Sequence, residues 1–386
     1  MNPISNNVEN KEGKLLFVFS DFDNSNEYLH VLTSLTDRGY SIEIIVVRSP
    51  ENSFVKALSS LNLRYQLIST SRKISRFLCL LQIVAKTKAS PRKIIVSGVE
   101  ASYLIFFASF ILKIRYVLVR HHSNLHFQIN NRIAICLDHY VALRSNRIYA
   151  VSKSHKAYLV NDEGMDPKKV GVVYGGFHLE SFAQNRIKKS SRLIEELRPL
   201  QGTTLTFGVC ARLVEWKGIQ YILFAFEKLI MQGISAELFI LGEGPYRKEL
   251  QNIIDAKLSR HVKFLERVNL VPDFFLSLDV FIHTPIEECS ETFGMVYLEA
   301  LASGIPCIFT MSGILNEMPK IHDSVVVVPF CDSDAIFRSM LLFVEDKRGL
   351  NISQYSLKAL EYFTLDKLVD RYMGIIHQLN SLENDI

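Results

Sequence analysis

The sequence predicts an α/β protein made of two parallel sheets, each covered by helices on both faces. Three observations predict it. Apolar runs of strand length alternate with helix-length segments along most of the chain, the pattern left by repeated strand-helix-strand units. The alternation runs twice, and a polar, charged stretch over 184–202 separates the two passes. A length of 386 residues suits two domains of ordinary size, each able to bury its own core.

In the first pass, apolar runs at 14–19, 41–47, 93–96, 116–119, 147–151 and 170–174 read as strands. In the second, the runs at 205–210, 236–241, 262–264, 280–283, 306–310 and 324–328 do so. Helical segments lie between most of them, for example 26–38, 217–232 and 246–256, and a last helix over 366–379 follows the final strand. The longest apolar region, 101–119, contains Lys113 and Arg115, which bars one uninterrupted membrane-spanning helix. It reads as a buried helix over 101–112 followed by a strand over 116–120. Two Rossmann-like domains with a cleft between them follow. In open sheets of this kind ligands bind beyond the carboxyl ends of the strands.

Composition narrows the function class. The hydrophobic fraction of 48% and charged fraction of 22% are those of a globular protein. Residues 1–13 are polar, so no N-terminal signal peptide is expected. The six cysteines are scattered, with no CxxC pair. They are expected to be buried structural thiols in a reducing cytosol, without structural zinc. Net charge is +4 but unevenly placed: from Asn52 to Val160 the acids are Glu100 and Asp138, against seventeen lysines and arginines. Such a block favours an anionic partner. Residues 72–93 combine an apolar stripe (Ile74, Phe77, Leu78, Leu80, Leu81, Ile83) with seven basic residues and no acid. That is the composition of a helix able to lie on an anionic membrane, or of a core helix with a solvated basic face.

Chemistry-bearing residues concentrate in the second pass. The strand at 205–210 runs into Ala211-Arg212-Leu-Val-Glu-Trp-Lys217-Gly218, which sets two cations between a strand end and a helix start, where a diphosphate can be held. The strand at 236–241 runs into Gly242-Glu-Gly244-Pro245, a tight turn that lets a ligand approach the backbone. Further on, Glu291-Thr-Phe-Gly-Met-Val-Tyr-Leu-Glu299 places two acids eight positions apart. Phe293-Gly294 turns the backbone into a short helix there, and Gly304 with Pro306 ends it. A carboxylate above a helix start, beside free backbone N–H groups, suits a ligand carrying hydroxyls and phosphate.

The order of these elements is itself a signal. Arg212-x4-Lys217, Gly242-x-Gly244-Pro245, Phe264-Leu-Glu-Arg-Val268, Asp279-Val-Phe-Ile, Glu291-x7-Glu299 and Ala302-x-Gly304-x-Pro306 together resemble the retaining glycosyltransferases of family 4, the glycosyl transferases group 1 with the GT-B fold. The resemblance is dense over 206–317. It continues from Tyr362-Phe363 to Tyr372, which looks like the family's closing helix returning to the first domain. In the first half it covers Gly39-Tyr40, Ala150-Val-Ser152 and Gly175-Gly176-Phe177. The domains implied are an N-terminal acceptor-side domain over 1–183, a linker over 184–202, a C-terminal donor domain over 203–364 and the closing helix over 365–386.

The resemblance implies a hexosyltransferase that moves a sugar from a nucleotide diphosphate sugar to a hydroxyl of a lipid-linked or polysaccharide acceptor, with retention. Arg212 and Lys217 would hold the diphosphate, Glu299 the ribose, and Glu291 the donor sugar. Phe293 and Gly294 would offer backbone groups, and Gly242, Gly244, Val268 and Met295 would complete the donor site. His121 or His122, at the end of the strand over 116–119, would face the donor sugar; His122 matches better, because Ser123 follows it. Arg120, His121, Asn124, Asp21 and Asn24 would line the acceptor side. The family's Gly-Gly loop after the first strand reads Ser20-Asp-Phe-Asp-Asn-Ser-Asn-Glu27 here, without glycine. That loop would bear on the choice of acceptor.

No metal and no cofactor are expected: Arg212 and Lys217 already supply cations at the diphosphate, and the Asp21-Phe-Asp23 pair lies in the other domain. The expected location is cytoplasmic, peripheral on the inner face of a membrane. An epimerase-like or a catalytically inactive nucleotide-sugar-binding protein is the alternative. No G-x-G-x-x-G follows the first strand, which disfavours a dinucleotide oxidoreductase, and no recognition motif for nucleic acid accompanies the basic half.

Overall fold

The computed structural model describes residues 14–20, 26–47, 53–70, 72–86, 93–121, 131–183, 205–266, 271–345 and 355–381. The expected linker over 184–202 lies outside them. The chain divides into two compact units, Met1–Gly176 with Leu365–Ile386, and Phe177–Thr364.

In the first unit β1 (Leu15–Ser20), β2 (Ile42–Val47), β3 (Tyr65–Ile68), β4 (Lys93–Ser97), β5 (Tyr116–Arg120), β6 (Arg147–Ala150) and β7 (Val170–Val172) form one sheet in the order β3-β2-β1-β4-β5-β6-β7. Every pairing is parallel. Along β1, Leu15, Phe17 and Phe19 enter one core while Leu16 and Val18 enter the other. An unbroken apolar run is what a strand buried on both faces requires. Helices α1 (Asn26–Asp37) and α2 (Ser53–Ser60) cover one face. The other is covered by α3 (Lys73–Lys86), α4 (Val99–Leu112), α5 (Arg132–Arg144) and α6 (Lys153–Asn161).

The second unit begins with α7 (Leu179–Ala183). Its sheet contains β8 (Leu205–Cys210), β9 (Ala236–Leu241), β10 (Val262–Leu265), β11 (Val280–His283), β12 (Cys307–Phe309) and β13 (Val326–Val327), in the order β10-β9-β8-β11-β12-β13 and again parallel. Further helices of this unit are α8 (Ile219–Met231), α9 (Arg247–Ile253), α10 (Val271–Leu276), α11 (Met295–Ser303) and α12 (Ser333–Glu345), and Leu357–Leu360 makes a single helical turn. Finally α13 (Leu365–Ser381) returns to the first unit. Its Leu365, Leu368, Val369, Tyr372, Ile375, Ile376 and Leu379 enter the α1–α2 core, the three- and four-residue spacing that puts one face of a helix into a core.

Three features depart from the sequence reading. Strand β3 was not expected: it is a four-residue edge strand with only Ile68 fully buried, so its apolar signal is weak. Residues 177–183 pack with the second unit rather than the first, because Phe182 of α7 meets the Phe275 ring at 5.9 Å. The expectation of buried thiols is corrected: Cys79, Cys136, Cys289 and Cys331 are exposed, and Cys307 alone is fully buried among the six.

Candidate active site

In the second sheet the strand order reverses between β8 and β11, whose neighbours lead away in opposite directions. The chain leaving two such strands opens a crevice at their carboxyl ends. The candidate residues follow those two strands.

After β8, the backbone of residues 211–213 is pinned to the turn that follows β9. Ala211 N donates to Leu241 O (3.1 Å) and Leu213 N to Glu243 O (2.9 Å). A Cβ on Gly242 would stand 1.9 Å from Ala211 O, and one on Gly244 2.2 Å from Leu213 O. What approaches these glycines is therefore the chain itself. Arg212, projecting from the pinned segment, is exposed, and no described partner holds its side chain. Lys217 ends the 3-10 turn Glu215–Lys217. Gly218 follows with φ 71, and its absent Cβ is what lets it lie against Thr284 O, 1.9 Å from where that Cβ would be. Together with the bond from Ile286 N to Trp216 O (3.1 Å), this presses the turn against the segment leaving β11.

That contact brings Lys217 to Glu291. The Glu291 carboxylate is buried and forms an ion pair with the Lys217 ammonium through Oε1. The same oxygen accepts from His283 Nε2 at 2.7 Å. Burial alone would push the Glu291 carboxyl up; Lys217 and His283 outweigh it and hold it at about 2. Burial depresses the His283 imidazole against the pull of Glu291, so the ring is neutral and Nε2–H is the donor. Its Nδ1 is buried with no partner among the described residues. The Glu291 backbone is fixed as well: its N–H donates to Ser312 Oγ (3.1 Å), which lies 2.8 Å from Glu288 O. Gly313, at φ 59, packs so closely that a Cβ would sit 2.6 Å from Phe293 O and 2.9 Å from Glu291 Cβ.

Helix α11 starts beyond Glu291. Gly294 is its N-cap in the left-handed region (φ 83), with no side-chain cap, and Gly304 ends it at φ 70. Phe293 is buried and meets Phe363 edge-on at 6.0 Å; Met295 opens the helix, half-buried. The uncapped first turn leaves backbone N–H groups for an anion. Glu299, one turn further, is half-buried, and no described group hydrogen-bonds its carboxylate. Loss of water raises its carboxyl to about 7. Its charge in turn helps burial to raise the Cys210 thiol, which locates Glu299 beside the end of β8.

In the first unit His121 Nε2 lies 2.8 Å from Tyr28 OH. Both line a small cavity with Glu27, Gly175, Leu368 and Tyr372. The Arg120 guanidinium contacts both carboxylate oxygens of the buried Glu163, at 2.9 and 3.2 Å. Asp21, Asn24, His122, Asn124 and Val268 lie outside the described residues. Among the described residues, no three His, Cys, Asp or Glu side chains are grouped to hold a metal. Sequence reasoning missed His283 and Ser312. The signal for His283 was a histidine closing an otherwise apolar strand, eight residues before Glu291; that for Ser312 was its place in the loop Thr310-Met-Ser312-Gly313, where one glycine stands.

Residues 193–358 match the family model described as glycosyl transferases group 1. The matched stretch, less than half of the chain, contains Arg212, Lys217, His283, Glu291 and Glu299. Over the whole chain, the GT-B fold of the Anabaena protein HepE, crystallised with UDP and glucose, superimposes with a TM-score of 0.77 at 20% identity, covering 94% of this chain and 99% of that one. Curated proteins similar to the chain include the N-acetyl-alpha-D-glucosaminyl L-malate synthase of Bacillus anthracis, 25% identical over 42% of each chain. Another is the UDP-Gal:alpha-D-GlcNAc-diphosphoundecaprenol alpha-1,3-galactosyltransferase of Escherichia coli, 25% identical over 61% of each. The matches thus span 42% and 61% of the lengths of these two relatives.

Proposed function

We propose that the protein is a retaining glycosyltransferase of glycan synthesis, which moves a sugar from a nucleoside diphosphate sugar to a hydroxyl of a lipid-linked or saccharide acceptor. The observation that carries this reading is the half-buried carboxylate of Glu299, without a hydrogen-bond partner among the described residues, beyond the uncapped start of α11 at the sheet's switch point. Such a carboxylate can accept from both hydroxyls of a ribose, while the helix N–H groups meet phosphate. The UDP named for HepE and the UDP-sugar named for the Escherichia coli relative are ligands of that class.

In this reading Arg212 reaches the diphosphate, and Lys217 divides its charge between phosphate oxygen and Glu291. Glu291, held by His283, accepts from hydroxyls of the donor sugar. The acceptor oxygen attacks the anomeric carbon on the face from which the diphosphate departs. As the bond to the phosphate oxygen breaks, that oxygen takes the acceptor's proton, and the two cations with the helix N–H groups stabilise its charge. These groups supply the positive charge the leaving group needs, so the reaction is proposed to need no metal.

Calorimetry of nucleoside diphosphate sugars tests the assignment. Glu299→Ala is expected to weaken donor binding at least about tenfold, the scale of a lost charged hydrogen bond. Unchanged affinity would refute the ribose role. Turnover abolished by a chelator and restored by a divalent cation would refute the metal-independent step. A donor that binds without ever turning over would leave a binding protein only.

A further inference from the structure

One side of the first unit is built unlike the rest of the described surface. Helices α3, α4 and α5 share the core beneath them and touch one another edge to edge. Phe77 meets Phe107 at 6.3 Å across α3 and α4, and the Arg144 guanidinium of α5 lies 5.3 Å over the Phe110 ring of α4. Among the described residues sixteen large apolar side chains are exposed, and nine belong to these three helices. Helical spacing sets them on outward faces: Ile74 and Leu78 are one turn apart on α3, Phe107, Phe110 and Ile111 share a face of α4, and Ile133 and Tyr140 are two turns apart on α5. Ile133 is 85% exposed, Ile74 77% and Ile111 61%. A monomer surface seldom gathers so many apolar groups without a partner.

The charge of this face has one sign. The acids of the three helices, Glu100 and Asp138, are both used internally. Glu100 is paired with Arg76, and Asp138 is buried and accepts from Tyr103 OH at 2.5 Å. At the helix ends Arg72, Lys73, Lys113, Arg115 and Arg132 are exposed, with no described partner for their side chains. A second copy of the same face would bring these cations against their like, and an ordinary apolar partner would leave them unmatched. No helix among the described residues is long and apolar enough to cross a membrane, so the apolar groups have no spanning role.

We infer that the α3–α4–α5 face docks on an anionic lipid bilayer, its apolar side chains entering the headgroup layer and its cations meeting lipid phosphate. Interfacial association combines these two contributions. The inference widens the expected basic helix to a surface of three helices, in which α4 supplies aromatic and aliphatic groups. It stands apart from the proposed reaction, since a non-catalytic protein with this face would dock equally.

Co-sedimentation of the full chain with vesicles tests it. Binding to phosphatidylcholine vesicles containing phosphatidylglycerol is expected to exceed binding to phosphatidylcholine alone by at least about tenfold, and to weaken as salt is raised. The double variant Lys113→Glu, Arg115→Glu should lose about tenfold or more. Ile111→Asp should lose binding as well, with circular dichroism and melting unchanged. Lys248→Glu, an exposed change of the same sign on α9 of the second unit, should bind as the unaltered protein does. Equal binding to both vesicle types, or none, would overturn the inference. So would a concentration-dependent dimer that Ile111→Asp dissolves, because the face would then pair two copies.

Discussion

Glu291 keeps a negative charge in a buried place because two donors converge on one of its oxygens. Removing one of them leaves a charge with half its compensation. Lys217→Met is expected to destabilise the protein toward the lower end of about 3–5 kcal/mol, since His283 still donates; urea unfolding measures it. His283→Ala should raise the pH at which Glu291 titrates and lower turnover more than donor affinity, whereas His283→Asn, which can still donate, should recover part of the loss. The two acids respond oppositely to pH. The stability Glu291 contributes is complete above its ordinary value of 4.5 and disappears as pH falls toward about 2. Glu299, raised to about 7, contributes stability below 4.5 that is lost as pH rises through about 7. The proposed ribose contact needs the ionised form. Donor affinity is therefore expected to rise as pH increases through about 7, and the rise should vanish in Glu299→Gln; titration calorimetry at several pH values reads both.

At the scale of elements, the site depends on backbone positions that accept no side chain. Gly313 lies at φ 59 with its missing Cβ facing Phe293 O and Glu291 Cβ. Gly313→Ala should displace the 291–294 segment and abolish turnover, as crystallography of the variant would show. Strand-helix alternation could be read from the sequence because most strands are buried on both faces and so are continuously apolar. Strand β3 could not, since its Tyr65 and Gln66 are partly open on a sheet edge. The start and end of α11 were legible, because Gly294 and Gly304 occupy the left-handed region that glycine marks. The pairing of Arg120 was not legible, because its partner Glu163 lies 43 residues away, on a contact made by the fold alone. The same holds for the bond between Glu291 N–H and Ser312, 21 residues apart.

For the whole molecule, the return of α13 makes one unit depend on both ends of the chain. Seven of its apolar side chains enter the first unit's core. Truncating one of them, Ile376→Ala, should cost about 2–5 kcal/mol. Deleting 365–386 should abolish the first unit's calorimetric transition while sparing that of the second, which has its own core. The second unit is thus an insertion within the first, and its two ends meet: Phe177 and Thr364 form a parallel bridge, with Phe177 N donating to Phe363 O at 2.9 Å. A segment whose ends lie side by side can be cut out without stretching what remains. Joining Gly176 directly to Leu365 would give a shortened chain that retains its final helix and the complete first sheet. The paired crossing is a natural splice point, at which the second unit could be exchanged for another module of its kind.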